Sequence, residues 1–182
     1  MDVSVNVKKL HPSLLLALPK VPRKTRAQLV AEKADQLEND LQDIGDRNGY
    51  LYQCPSKGGQ GVKSTRALEK GEVFMEYAGD LITKEEAMKR DKLYAKQGKG
   101  CFLLYFKYRG DHLAVDATLS SRKARYINHC KKGNLQLKVA VDNKNLARVL
   151  LVATRKVEAQ EVMEYDYGDR DAATLKDHTW LK

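Results

Sequence analysis

Cysteine is scarce in this 182-residue chain: Cys54, Cys101 and Cys130 are the only three, and no two of them form a CxxC pair. A disulfide framework needs an even, dense set, and a structural zinc site needs four closely spaced ligands. The count therefore points to a reducing compartment and away from both. Cys130 beside His129 is the one adjacent Cys/His pair, and no metal is expected there. Long apolar runs are missing too. Leu14-Leu15-Leu16-Ala17-Leu18, closed by Pro19-Lys20, is too short to span a membrane and lacks the small-residue cleavage site of a signal peptide. A membrane is not an expected partner. No GxSxG or cysteine-nucleophile signature supports a hydrolase triad, and no GxxxxGK[ST] pattern supports a phosphate cradle. Repeats and low-complexity tracts are absent. Aromatic residues make up only 7% of the chain, so the places where they cluster carry information.

What is present describes a soluble globular protein. Hydrophobic residues are 42% and charged residues 31% of the chain, and the length allows one domain with a core plus a flanking segment. The net charge of +9 is uneven. Lys8, Lys9, Lys20, Arg23, Lys24 and Arg26 face only Asp2 in the first 26 residues. Arg122, Lys123, Arg125, Lys131, Lys132, Lys138, Lys144 and Arg148 face only Asp142, whereas six acids between Glu158 and Asp171 face only Arg170. A basic body with an acidic rim fits a polyanionic partner and a cationic substrate; it equally fits a solvated surface.

Residues 1–24, marked by Pro12, Pro19 and Pro22, read as irregular and able to order on a partner. Thr25-Arg26-Ala27-Gln28 is a capping box, which predicts a helix to Ile44 ended by Gly45. Val30, Ala34, Leu37, Leu41 and Ile44 make one narrow apolar stripe, suited to docking on the main domain. From Tyr50 the period changes to two. It predicts strands at Tyr50–Cys54, Val62–Thr65, Val73–Tyr77, Cys101–Tyr108, His112–Asp116, Leu135–Val141, Ala147–Ala153 and Val162–Tyr165. Arg109-Gly110-Asp111 and Asp142-Asn143-Lys144-Asn145 have hairpin-turn chemistry. Thr83-Lys84-Glu85-Glu86 opens a second helix to about Lys96, and a short helix is expected over 171–177. The fold class is mainly β with short helices, built from small sheets.

Four segments have chemical character. Gly58-Gly59-Gln60-Gly61 lets a backbone approach a ligand without Cβ obstruction, or simply makes a flexible turn. Asn128-His129 offers an amide and an imidazole side by side, or an ordinary loop. Glu76-Tyr77-Ala78-Gly79-Asp80 ends a strand on a tyrosine. In Glu164-Tyr165-Asp166-Tyr167-Gly168-Asp169 the i, i+2 spacing puts two phenols on one face. Lining a channel, such phenols suit an amine better than they suit a packed core.

In this order and spacing the four segments resemble the SET domain of protein lysine methyltransferases, over about Tyr50 to Lys182. The similarity is greatest to the branch that monomethylates lysine 20 of histone H4. It is carried by Leu93-Tyr94-Ala95, Gly100-Cys101, Val115-Asp116-Ala117-Thr118, Tyr165 to Arg170 and the ending His178-Thr179-Trp180-Leu181-Lys182. That branch lacks cysteine-rich flanking modules, as this chain does.

The resemblance implies a SET-domain β-clip fold with a C-terminal pseudoknot, an exception to unthreaded topology. It implies three parts: a basic arm and helix (1–49), the SET domain (50–168) and a flanking segment (169–182) that completes the cofactor site. Gly58, Gly59, Gln60, Phe102, Asn128, His129 and Trp180 would hold S-adenosylmethionine. Tyr77, Cys101, Tyr165 and Tyr167 would line the lysine channel, with Tyr167, Tyr165 and Tyr77 as the catalytic set. Gln60 stands where that branch has arginine, and Phe102 where it has tyrosine.

Such a site needs no strong base. Neutralising a lysine of pKa about 10.4 near pH 7.4 costs about 4 kcal/mol, and a sulfonium cation about 4 Å away contributes about as much repulsion at an effective dielectric near 20. Tyrosine rather than phenylalanine at position 165 predicts that reaction stops at one methyl group, because the phenol can hold a water where a second methyl would go. The expectation is a monomeric nuclear enzyme acting on the histone H4 tail in nucleosomes. Its acids would receive the basic tail, and its basic segments would contact DNA phosphates. Methylation of another lysine, a catalytically silent chromatin-binding module and plain nucleic-acid binding are the alternatives.

Overall fold

The computed structural model describes residues 23–57 and 59–168. Helix α1 spans Arg26–Ile44, opened by the expected capping box: Thr25 Oγ1 accepts from Gln28 N, and Gln28 reaches back to Thr25 N. Gly45 closes it. The apolar stripe docks only over its second half, where Leu41 is buried with Leu150 and Val152 and Leu37 packs beside Val73 and Ala140. Leu29 and Val30, one turn and more upstream, stay 45% and 61% exposed.

Ten strands follow. They are β1 (Gly49–Cys54), β2 (Gly59–Ser64), β3 (Val73–Glu76), β4 (Asp80–Thr83), β5 (Leu103–Tyr108), β6 (Asp111–Asp116), β7 (Asn128–His129), β8 (Leu135–Val141), β9 (Ala147–Ala153) and β10 (Val162–Tyr165). Helix α2 (Lys84–Lys96) sits between β4 and β5, with Thr83 Oγ1 accepting from Glu86 N as the sequence predicts. The larger sheet runs β1-β2-β10-β8-β9-β3 with β7 against β10, and the smaller runs β4-β6-β5. Mainly β architecture in small sheets, preceded by a helix, is therefore what forms. The expected helix over 171–177 lies outside the described residues.

Three departures have physical reasons. Gly59–Gly61 are not a flexible turn; they belong to β2 and pair in register with Tyr52–Cys54. The fifth strand starts at Leu103 rather than Cys101, because the Phe102 N–H donates to Thr118 Oγ1 instead of a ladder partner. Asp80–Thr83 forms a four-residue, mostly exposed edge strand, too short to show a period, pairing with β6.

The core is laid down by alternation. Val62, Phe74, Met75, Val149, Leu151 and Met163 point inward from four strands and are essentially inaccessible, with Ile127 joining them from the loop before β7. Burying side chains of this size contributes about 1.5–3 kcal/mol each. The unusual element is β10. Val162 and Met163 pair antiparallel with β2, while Glu164 and Tyr165 pair parallel with Asn128 and His129. One four-residue strand thus joins segments about 65 residues apart in the chain. Gly133 lets the chain close over it: a Cβ there would lie 2.4 Å from the Glu164 carbonyl oxygen.

Candidate active site

The parallel β7–β10 pairing sets Asn128 beside Glu164 and His129 beside Tyr165. His129 is buried, and its Nδ1 accepts a hydrogen bond from the Tyr167 N–H at 3.1 Å. The imidazole is thus turned inward to hold the main chain at Tyr167. The Tyr167 hydroxyl donates to the Ile127 carbonyl at 2.8 Å. Its ring lies 5.2 Å from His129 edge-on and 4.7 Å from the Tyr165 ring. Tyr165 is 3% exposed, and among the described residues its hydroxyl makes no hydrogen bond. Tyr77, just beyond β3, is also buried and donates to the Phe102 carbonyl at 3.3 Å.

The three phenols form one electrostatic unit. Burial pushes Tyr167 up to about 12. Burial also raises Tyr165 well above the ordinary tyrosine value, with Tyr77 and Tyr167 adding to it. Tyr77 is raised by burial, then by Tyr167, Asp116 and Cys101. All three are neutral at physiological pH, able to donate and accept but not to serve as bases. Cys101, at the exposed end, donates its thiol to Asp91 Oδ1 at 3.0 Å, and burial with that carboxylate pushes it up to about 11. It is a thiol here, not a thiolate.

The expected cofactor residues stand on the same assembly. Asn128 Nδ2 donates to the Gln60 carbonyl at 3.1 Å, tying β7 to the glycine-rich strand. A Cβ at Gly59 would meet nothing within 4 Å, so the space that this glycine leaves open is not filled by the described residues. Phe102 is half-buried, its ring edge-on to Tyr126 at 5.6 Å. Open glycine backbone, an amide and an aromatic face are a donor set that fits S-adenosylmethionine. Gly58 and Trp180 lie outside the described residues.

Several participants escaped the sequence reading. Arg125 lies over both the Phe102 and Tyr126 rings, at 4.9 and 4.7 Å, and donates to the Ala117 and Thr118 carbonyls. It had been counted among surface charges. Its neighbours are occupied as well: Arg122 pairs with Asp46, Lys123 donates to the Asp46 and Gly49 carbonyls, and Arg148 forks onto Glu76 at 2.6 and 3.1 Å. The basic cluster therefore splits. Four members hold the fold, and Lys131, Lys132, Lys138 and Lys144 remain exposed. Glu76, buried under Arg148, is likewise not available to a basic peptide. Asp80 and Glu86 both pair with Arg90. Arg90 and Tyr94 together with the Thr118 N–H outweigh burial at Asp116 and hold its carboxyl below the usual range.

Residues 59–168 match the family model described as the SET domain. The chain belongs to the SET-domain family. It is 36% identical over 162 residues to N-lysine methyltransferase KMT5A of Xenopus tropicalis, covering 88% of this chain and 48% of that protein. It is 40% identical over 125 residues to Histone-lysine N-methyltransferase Set8 of Drosophila melanogaster, covering 68% and 18%. The crystal structure of CpSET8 from Cryptosporidium matches with a TM-score of 0.66 at 27% identity, over 84% of this chain and 71% of that one. The chain spans about half the length, or less, of these curated relatives. For a SET domain, the parallel contact between Asn128-His129 and Glu164-Tyr165 is the threaded part of the expected pseudoknot, and it lies within the described residues.

Proposed function

We propose that this SET domain transfers one methyl group from S-adenosylmethionine to the ε-amine of a protein lysine, lysine 20 of histone H4 on nucleosomes. The observation that carries the reading is the cluster of three buried, neutral phenols, Tyr77, Tyr165 and Tyr167, none of which is hydrogen-bonded through its hydroxyl to a carboxylate or imidazole among the described residues. S-adenosylmethionine, when bound, supplies the methyl group and a positive charge close to the amine. Gly58, Gly59, Gln60, Phe102, Asn128 and Trp180 would hold it, and His129 would contribute through its main chain, its ring being committed to Tyr167.

The chain's own groups do the rest. Tyr165 offers a hydroxyl with no partner among the described residues, suited to binding the amine directly or through a water. Tyr167, with its proton directed at Ile127, presents oxygen lone pairs as weak C–H···O acceptors that fix orientation. Tyr77 and Cys101 wall the approach, and their own protons stay in place at neutral pH. We further read residues 1–49 as an arm and docking helix, 50–168 as the catalytic domain and 169–182 as the segment completing the cofactor site, in a monomeric nuclear protein bound to chromosomes.

Incubation with labelled cofactor and a histone peptide array tests the reading. Label on the H4 peptide at lysine 20, analysed as monomethyl-lysine, is the expected result; label on another lysine only would replace the substrate, and none would remove the enzyme. Tyr165→Phe is expected to yield dimethyl-lysine, read by mass spectrometry, and continued arrest at one methyl would refute the water-site account. Nucleosome binding is expected to weaken steeply with salt through the exposed Lys131, Lys132, Lys138 and Lys144. With about four phosphate contacts, the slope of log K against log salt is about −3.6, and a flat response would remove the DNA contact.

A further inference from the structure

Tyr52 stands beside the cofactor residues without being one of them. It pairs with Gly61 across the β1–β2 ladder, so the two share the face of the sheet opposite to Leu51 and the buried Val62. Its ring lies directly on Gly61: a Cβ there would sit 2.6 Å from the Tyr52 Cε1 and 3.0 Å from its Cζ and hydroxyl oxygen. Gly61 is therefore glycine because of Tyr52, and the room left by its missing side chain is taken by this chain's own ring. Gly59, on the same face two residues earlier, is the opposite case, with nothing within 4 Å of its would-be Cβ. The glycine-rich strand thus has a filled position at Gly61, under the Tyr52 ring, and an open one at Gly59, opposite the buried Cys54.

Other contacts fix the ring in place. Lys63, also on this face, holds its ammonium 5.0 Å from the ring centroid. From the neighbouring strand Glu164 comes near enough for its charge to act on the phenol, and burial, the main cause, with a side-chain hydrogen bond to Cys54 and the charges of Cys54 and this carboxylate, pushes Tyr52 up to about 12. Glu164 in turn pairs with Asn128, whose amide holds the Gln60 carbonyl. Tyr52 is half-buried, on the face of the strand pair that also carries Gly59.

We propose that Tyr52 forms a wall of the S-adenosylmethionine site, bounding the open space over Gly59 with its ring and presenting there the hydrogen-bonding capacity that its hydroxyl keeps beyond the bond to Cys54. This rests on the methyltransferase reading above. It makes Tyr52 a determinant of cofactor affinity, with no part in lysine recognition or product control.

Calorimetric titration of S-adenosylmethionine into the full chain tests it, using wild type, Tyr52→Phe and Tyr52→Ile, with ligand-free thermal melts and steady-state kinetics alongside. Tyr52→Ile is expected to weaken binding about tenfold and to raise the KM for cofactor equally, with kcat and the KM for H4 peptide unchanged. Tyr52→Phe, which keeps the ring on Gly61, is expected to lose about two- to fivefold. A wild type that binds cofactor beside two variants that bind it equally well overturns the role of Tyr52 and leaves the methyltransferase reading standing. A wild type that binds none overturns both. If Tyr52→Ile melts early in the absence of ligand, Tyr52→Phe decides alone: its expected loss supports the wall, and unchanged affinity overturns it.

Discussion

Tyr167→Phe is expected to lower methyl transfer about 10²–10³-fold, the usual consequence of deleting one preorganised polar group aimed at a reacting centre, while cofactor affinity changes little. The phenol is positioned twice over. Its main-chain N–H is held by His129 Nδ1, and its own proton is directed at the Ile127 carbonyl. With the O–H so directed, the lone pairs face elsewhere and the oxygen acts as an acceptor. Phenylalanine keeps the ring against Tyr165 and His129 and leaves the main-chain bond intact. The structural cost is then one hydrogen bond, about 1 kcal/mol. Single-turnover rates with saturating cofactor, together with a calorimetric affinity, separate chemistry from binding. A variant that turns over at the wild-type rate would take Tyr167 out of the chemistry.

Gly133→Ala is expected to cost about 3 kcal/mol or more in stability, which for a chain of this size is a fall in Tm of roughly 6–12 °C. The added Cβ would stand 2.4 Å from the Glu164 oxygen, 2.7 Å from its carbonyl carbon and 2.8 Å from the Tyr165 Cα. All three are backbone atoms of a strand paired on both sides, so none can swing away as a side chain would. Relief requires moving β10 itself, and with it Tyr165 and the turn to Tyr167. Activity is therefore expected to fall even at temperatures where the variant remains folded. Thermal melts compared with Gly71→Ala, where a Cβ meets nothing within 4 Å but the backbone has a φ of +89°, separate crowding from backbone strain. Equal melting of Gly133→Ala and wild type would contradict the close threading.

Much of the fold was legible because local signals agreed. Thr25 and Thr83 announced their helices, alternation marked Leu135–Val141 and Ala147–Ala153 to the residue, and Arg109-Gly110 made its hairpin with both residues at positive φ. The two-residue strand Asn128–His129 was not legible as a strand. Two residues have no period, and its partner lies more than thirty positions downstream. The candidate site came from motif order, and the structure brings Tyr77, Tyr165, Tyr167, Asn128, His129, Gln60 and Phe102 together. The charge reading fared worse for a physical reason. Counting Arg122, Lys123, Arg125 and Arg148 as surface charge ignores what an arginine or lysine does when carbonyls, rings or a buried carboxylate lie within reach, and composition cannot see those neighbours. Tyr52 was invisible for the same kind of reason, since only the cross-strand register sets it on Gly61.

The placement of β10 between β2 and β7 also bears on the order of events during synthesis. Strand β2 emerges from the ribosome about a hundred residues before the strand that completes its hydrogen bonding, and Asn128-His129 waits more than thirty residues for its own partner. Loop closures of that length are slow compared with hairpins such as β5–β6 or β8–β9. The smaller sheet and the β8–β9 ribbon can therefore form early, while the phenol cluster has no framework until residues 162–167 have left the exit tunnel. A nascent chain stalled before that point would hold folded pieces without the assembled phenol cluster, which comes together in one step once β10 pairs with β2 and β7.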